Sequence, residues 1–106
     1  MGKYLFTAKY TQEGAKGLVR DGGTARRAAV EKACVAAGGR LESMYFAFGG
    51  IDAFVTADLP DNASAAALAL AVNQAGGAST NTIVLITAAE VDEAAKKSIA
   101  YRPPGG

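Results

Sequence analysis

The stretch that most constrains this chain is residues 40–59, Arg-Leu-Glu-Ser-Met-Tyr-Phe-Ala-Phe-Gly-Gly-Ile-Asp-Ala-Phe-Val-Thr-Ala-Asp-Leu. Two runs rich in aromatic and branched residues, Leu41–Phe48 and Ala53–Ala57, flank Gly49-Gly50-Ile51-Asp52. Glycine tolerates the positive φ of a tight reversal and Asp can bond its own backbone there, so the stretch predicts a β-hairpin. In the first run Met44, Phe46 and Phe48 fall on one parity, and Leu41, Tyr45 and Ala47 on the other. A strand apolar at both parities is expected to be covered on both faces. Helices can cover one face, so the other needs a different cover.

The rest of the chain supplies the helices. Lys3–Tyr10 alternates, with Tyr4, Phe6, Ala8 and Tyr10 on one side, and predicts a strand. Gln12–Arg20 reads as a short helix weakened by Gly14 and Gly17. After Gly22-Gly23, Thr24 is the expected N-cap of a second helix from Ala25 to about Ala37, whose buried stripe is Val30, Ala33, Cys34 and Ala37. Beyond the hairpin, Asp61 or Asn62 caps a helix over Ala63–Ala75, with Leu68, Ala71, Val72 and Ala75 inward and Leu70 outward. Thr80–Ile86 is a last strand, Thr87-Ala-Ala-Glu90 is a capping box opening a helix to about Lys97, and residues 98–106 are an extended tail.

The order strand, helix, strand, strand, helix, strand, plus one helix, predicts an α+β fold of ferredoxin-like βαββαβ type with a four-stranded antiparallel sheet, spanning residues 1–106 as one domain. All helices then lie on one face. The second sheet face, read as apolar, is too large to leave bare in water. Covering it with a second copy gives a dimeric α+β barrel, a homodimer with room for higher association. Nearly a quarter of the chain is alanine, which buries little area per residue, so a chain of this size gains from an oligomer interface.

These residues resemble a known family. Lys3-Tyr-Leu, Tyr10-Thr-x-Glu-Gly14, Gly38-Gly39-Arg40-Leu41-Glu42, the Gly-x-Asp turn at 50–52, Ala57-Asp58-Leu59-Pro60 and Thr87-x-x-Glu90-Val91 are similar to the GYD domain family. The likeness runs over nearly the whole chain. It implies the dimeric α+β barrel fold; the family's members are largely uncharacterised, so it implies little about activity. The family takes its name from Gly-Tyr-Asp, and here Ile51 stands where the family has Tyr.

Composition bounds the function. A net charge of +1 without a basic block argues against nucleic acid or an anionic membrane as partner. No apolar run is long enough to span a bilayer, the start of the chain shows no signal peptide, and a single cysteine fits a reducing cytoplasm. The chain has no histidine, which removes haem ligation through His, His-based zinc sites and a Ser-His-Asp triad. No carboxylate cluster has metal-loop spacing, so neither metal nor cofactor is expected. Cys34, on a buried stripe, is expected to be structural.

Four residues are candidate ligand contacts. Arg26 projects from a first helical turn beside an apolar stripe, suited to a carboxylate or phosphate, or else it is an ordinary Arg that reaches to solvent or pairs with Glu. Tyr45 and Tyr10 can place phenols in an apolar cavity. Asp52 is a general base or polar anchor, or else an ordinary turn acceptor. Two functions follow. One is a homodimer that binds a small apolar or carboxylate-bearing molecule, with cofactor-free isomerase or oxygenase chemistry permitted by the resemblance. The other is a non-catalytic assembly or regulatory module, with Leu70 and the Pro-Pro tail as contact surfaces.

Overall fold

The computed structural model describes residues 1–106. Strand β1 (Gly2–Tyr10) leads into helices α1 (Gln12–Asp21) and α2 (Gly23–Ala36). Then come the hairpin strands β2 (Arg40–Phe46) and β3 (Ala53–Leu59), helix α3 (Asn62–Ala75), strand β4 (Ala78–Leu85) and helix α4 (Ala88–Ala95). The strands form one antiparallel sheet in the order β2-β3-β1-β4. This is the ferredoxin-like α+β arrangement, with α2 and α3 on one face and α4 as an extra C-terminal helix.

Register explains the core. Tyr4 pairs with Ala57, Phe6 with Val55 and Ala8 with Ala53, and these positions face the helices. With Leu59, Met44, Cys34 and Ala65 they make one buried cluster. Leu59 and Cys34 are fully enclosed. Burial pushes the Cys34 thiol up from its ordinary pKa, with Glu31 nearby adding to it. The Tyr4 hydroxyl donates to Asn62 Oδ1 at 2.6 Å, so this phenol ties β1 to the start of α3.

Two backbone features set the helices. Gly22 has φ +87°, a value L side chains rarely adopt; it ends α1 and opens α2, with no side-chain cap. Thr24 therefore does not cap α2 as expected; it lies within the first turn. The second feature is the seat of α1. Thr11 accepts from Gly14 N and donates to Gly76 O at 2.8 Å, and Thr11 N donates to Gly77 O at 3.0 Å. A Cβ on Gly14 would fall 1.8 Å from Gly77 O, so only glycine lets α1 lie against the α3–β4 turn. Gly14, read from sequence as a weakness of the helix, is what docks it.

Three further expectations are corrected. A β-bulge between Leu41 and Ser43 shifts β2, so Leu41 pairs with Ala57 and shares the helix-side face with Met44. The opposite face of β2 therefore carries Ser43 and Tyr45, and β2 is not apolar on both sides. Phe48 lies outside the strand, fully exposed in the connection to β3. In α3 the inward residues are Ala65, Leu68, Ala69 and Val72, while Ala71 and Ala75 are exposed; Leu70 is exposed as expected.

The open face of the sheet is banded. Its central rows are Ser43, Thr56, Leu5 and Ile83, then Tyr45, Phe54, Thr7 and Asn81. At one end Lys3 contacts Glu42 and lies 3.1 Å from Asp58, whose other oxygen is 2.9 Å from Arg40 Nη2. The Lys3 ammonium, with Arg40 behind it, holds the Asp58 carboxyl below the usual carboxylate range, and Lys3 does the same to Glu42. At the other end Lys9 lies 3.4 Å from Asp52.

Candidate functional site

The side of the sheet that carries α2 and α3 holds a narrow cavity and a groove that meet at three residues. The cavity, about 90 Å³, lies between α2, α3 and the sheet and is lined by apolar side chains including Phe6, Met44, Val55 and Leu68. The groove, about 270 Å³, runs between α1 and α2 and is floored by Gly14, Gly17 and Gly77, with Leu18 and Ala25 on its walls. Tyr10, Arg26 and Ala29 line both.

Arg26 is placed there by helical spacing: it precedes Ala29, Val30 and Ala33 on the face α2 turns to the sheet. Tyr10, the last residue of β1, continues the parity of Tyr4, Phe6 and Ala8. The guanidinium carbon lies 5.8 Å from the centre of the Tyr10 ring, a cation–π distance. No carboxylate of the chain pairs with Arg26; Lys32, Lys96, Lys97 and Arg102 also have none, but those four are exposed whereas Arg26 is half-buried. Its Nε is buried without a hydrogen-bond partner. A buried donor left unmade costs about 1–3 kcal/mol, so the site holds unspent capacity for an acceptor. Asp21, the only acid on the groove, is occupied by Arg20 at 3.0 Å, which holds the Asp21 carboxyl below its ordinary pKa.

The other two candidates lie elsewhere. Tyr45 is 72% exposed on the open sheet face, away from both spaces. Asp52 accepts from Tyr10 N at 2.9 Å, while its own backbone N–H donates to Ala8 O and its carbonyl accepts from Ala47 N. Its carboxylate thus fixes the end of β1 that presents Tyr10, and it borders a separate, shallower hollow with Phe46 and Phe48. Sequence reasoning missed Gly14, Gly17 and Gly77. Their signal was the three-residue spacing of the first two on one helix face.

A ferredoxin-like α+β sheet with one face left open and an apolar space bordered by Arg26 on the other is the class this architecture defines. Within it, residues 4–95 match the family model of the GYD domain, and the chain belongs to the GYD domain family. No curated protein and no solved structure matches the chain. No helix is long and apolar enough to cross a membrane.

Proposed function

We propose that this protein is a homodimeric binding module for a small carboxylate with a compact apolar body, one per chain. The observation that carries this reading is Arg26: a guanidinium without a carboxylate partner, its Nε buried and unbonded, where an apolar cavity meets an open groove. An incoming carboxylate accepts two N–H bonds from the planar fork of Arg26, which also stays over the Tyr10 ring. The apolar body of the ligand follows the groove toward Leu18 and Ala25, and a narrow group enters the cavity beneath Arg26. Together the two spaces lie just above the lower end of ordinary ligand pockets, about 300 Å³, which favours a compact molecule.

Binding is better supported than catalysis. A cofactor-free isomerase or oxygenase needs a base within reach of its substrate. Asp21 is paired with Arg20, and Asp52 is engaged with the Tyr10 amide and Lys9. Pairing of two copies through their sheets is supported by the open face, where Leu5, Ile83, Phe54 and Tyr45 lie exposed or half-exposed among Ser43, Thr56, Thr7 and Asn81, between charged ends. Burying those four side chains in an isologous contact removes them from water and leaves the helix-side groove accessible in each chain.

The test is an amide NMR titration with benzoate and hexanoate as probes and benzamide as the uncharged control. Saturable shifts at Tyr10, Arg26 and Ala29 are expected for a carboxylate, with binding weakened about 10- to 100-fold in Arg26→Met, the worth of a charge-assisted pair. Equal binding of benzoate and benzamide, or equal binding by the Met variant, would overturn the reading.

A further inference from the structure

The C-terminal segment after β4 is a well-formed structure with nothing of its own chain to lie on. Helix α4 carries a complete capping box: Glu90 N donates to Thr87 Oγ1, and Thr87 N donates to Glu90 Oε1. Yet every residue from Ile86 to Gly106 is exposed, and no residue of α4 is buried. The side-chain hydrogen bonds of this arm stay within it, Thr87 with Glu90 and Arg102 with Gly106. An isolated helix shorter than about 12 residues is marginal in water even with good caps. An eight-residue helix therefore draws its stability from packing, and the chain itself offers none.

The surface area says how much packing is missing. The chain exposes 7199 Å². A compact monomer of its 10.7 kDa exposes about 5,500 Å². Its radius of gyration, 16.8 Å, likewise exceeds the roughly 13 Å of a compact chain of this length. The excess, about 1,700 Å² per chain, is twice the 800 Å² or so that each partner buries in a standard interface, and lies in the range of obligate homodimers.

We infer that the arm, Thr87–Gly106, packs on a second copy of this chain, each copy embracing the other. The inference rests on the homodimer proposed above and adds its clasp. Ala88, Val91 and Ala95 share one face of α4 by helical spacing, and Ile99 and Tyr101 follow on the tail, 82% and 76% exposed. The receiving surface on the second copy is drawn from its own uncovered apolar positions, Val84 in the edge strand β4 and Ile86 just beyond it. Two-fold symmetry makes both arms serve at once, so the contact closes at two subunits and does not propagate.

The experiment uses the full chain carrying V91D, I99D and Y101D together. These side chains are exposed and lie outside the core cluster of their own chain, so the subunit fold, read by circular dichroism, stays intact. Sedimentation equilibrium is expected to show self-association weakened by about 100-fold or more, the loss of three buried apolar groups. Hydrogen exchange on the unsubstituted protein is expected to show amides of Val91–Ala95 protected above the dimer's Kd and unprotected well below it. A dimer whose α4 amides exchange freely, or a triple variant that associates as tightly as the parent, overturns the clasp and leaves face-to-face pairing standing. A parent chain that stays monomeric at all concentrations overturns both, while the carboxylate titration above is read separately on either form.

Discussion

Two glycines in one short helix should respond to alanine with opposite signs. Gly14 and Gly17 both lie in α1, where Gly→Ala ordinarily stabilises by up to about 1 kcal/mol. At Gly17 the nearest atom to an added Cβ is the flexible end of Arg20, 3.8 Å away, so the ordinary gain applies. At Gly14 the Cβ would stand 1.8 Å from Gly77 O and 2.7 Å from its carbonyl carbon, far inside the roughly 3.5 Å of normal contact, and backbone cannot step aside as a side chain can. Helix α1 must then lift from the α3–β4 turn, loosening Thr11 N to Gly77 O and Thr11 Oγ1 to Gly76 O. Two such bonds at about 1 kcal/mol each exceed the helix-propensity gain, for a net loss of about 1–2 kcal/mol. Because about 1 kcal/mol moves Tm by 4–8 °C in a domain near this size, Gly14→Ala should melt several degrees below the parent and Gly17→Ala slightly above it. The assay is thermal unfolding by circular dichroism at one fixed subunit concentration. Equal shifts of the same sign would refute the docking role assigned to Gly14.

Two other outcomes follow from the charges and the core. Asp58 and Glu42 have folded pKa values depressed by Lys3, so the stability they contribute is present above the unfolded carboxylate range, near pH 4, and is lost as pH falls through the folded values. Urea midpoints should drop between pH 5 and pH 3, and the drop should be smaller in Asp58→Asn. Cys34, enclosed and with its thiol pKa raised, should react with a thiol reagent such as Ellman's only as fast as the chain opens, so labelling should accelerate sharply at the urea midpoint.

Much of the fold was legible because its punctuation is local. Glycine pairs at 22–23, 38–39 and 76–77 separate the elements, and Asp61 and Thr87 cap helices where their side chains can reach the next turn. What was not legible depends on contacts across the chain. The bulge at Leu41–Ser43 reverses the faces of Arg40 and Leu41, and no local pattern in β2 announces it. Thr24 resembles an N-cap in isolation, but the positive φ of Gly22 starts α2 earlier. Gly14 reads as a helix breaker until Gly77, sixty-three residues later, is seen against it.

The candidate site divides the same way. Tyr10 and Arg26 were both named from residue type and helical or strand parity, and these two converge because strand parity and helix spacing both point to the space between layers. Tyr45 and Asp52 do not join them: strand alternation sends Tyr45 to the opposite face and the turn consumes the Asp52 carboxylate.

The central claim, a homodimer that holds one small carboxylate per chain at Arg26, is tested most directly by native mass spectrometry in the presence of benzoate. The account predicts a dimer carrying up to two benzoate adducts, with the adducts lost and the dimer retained in Arg26→Met. A monomer, or adducts that persist in the Met variant, would contradict it.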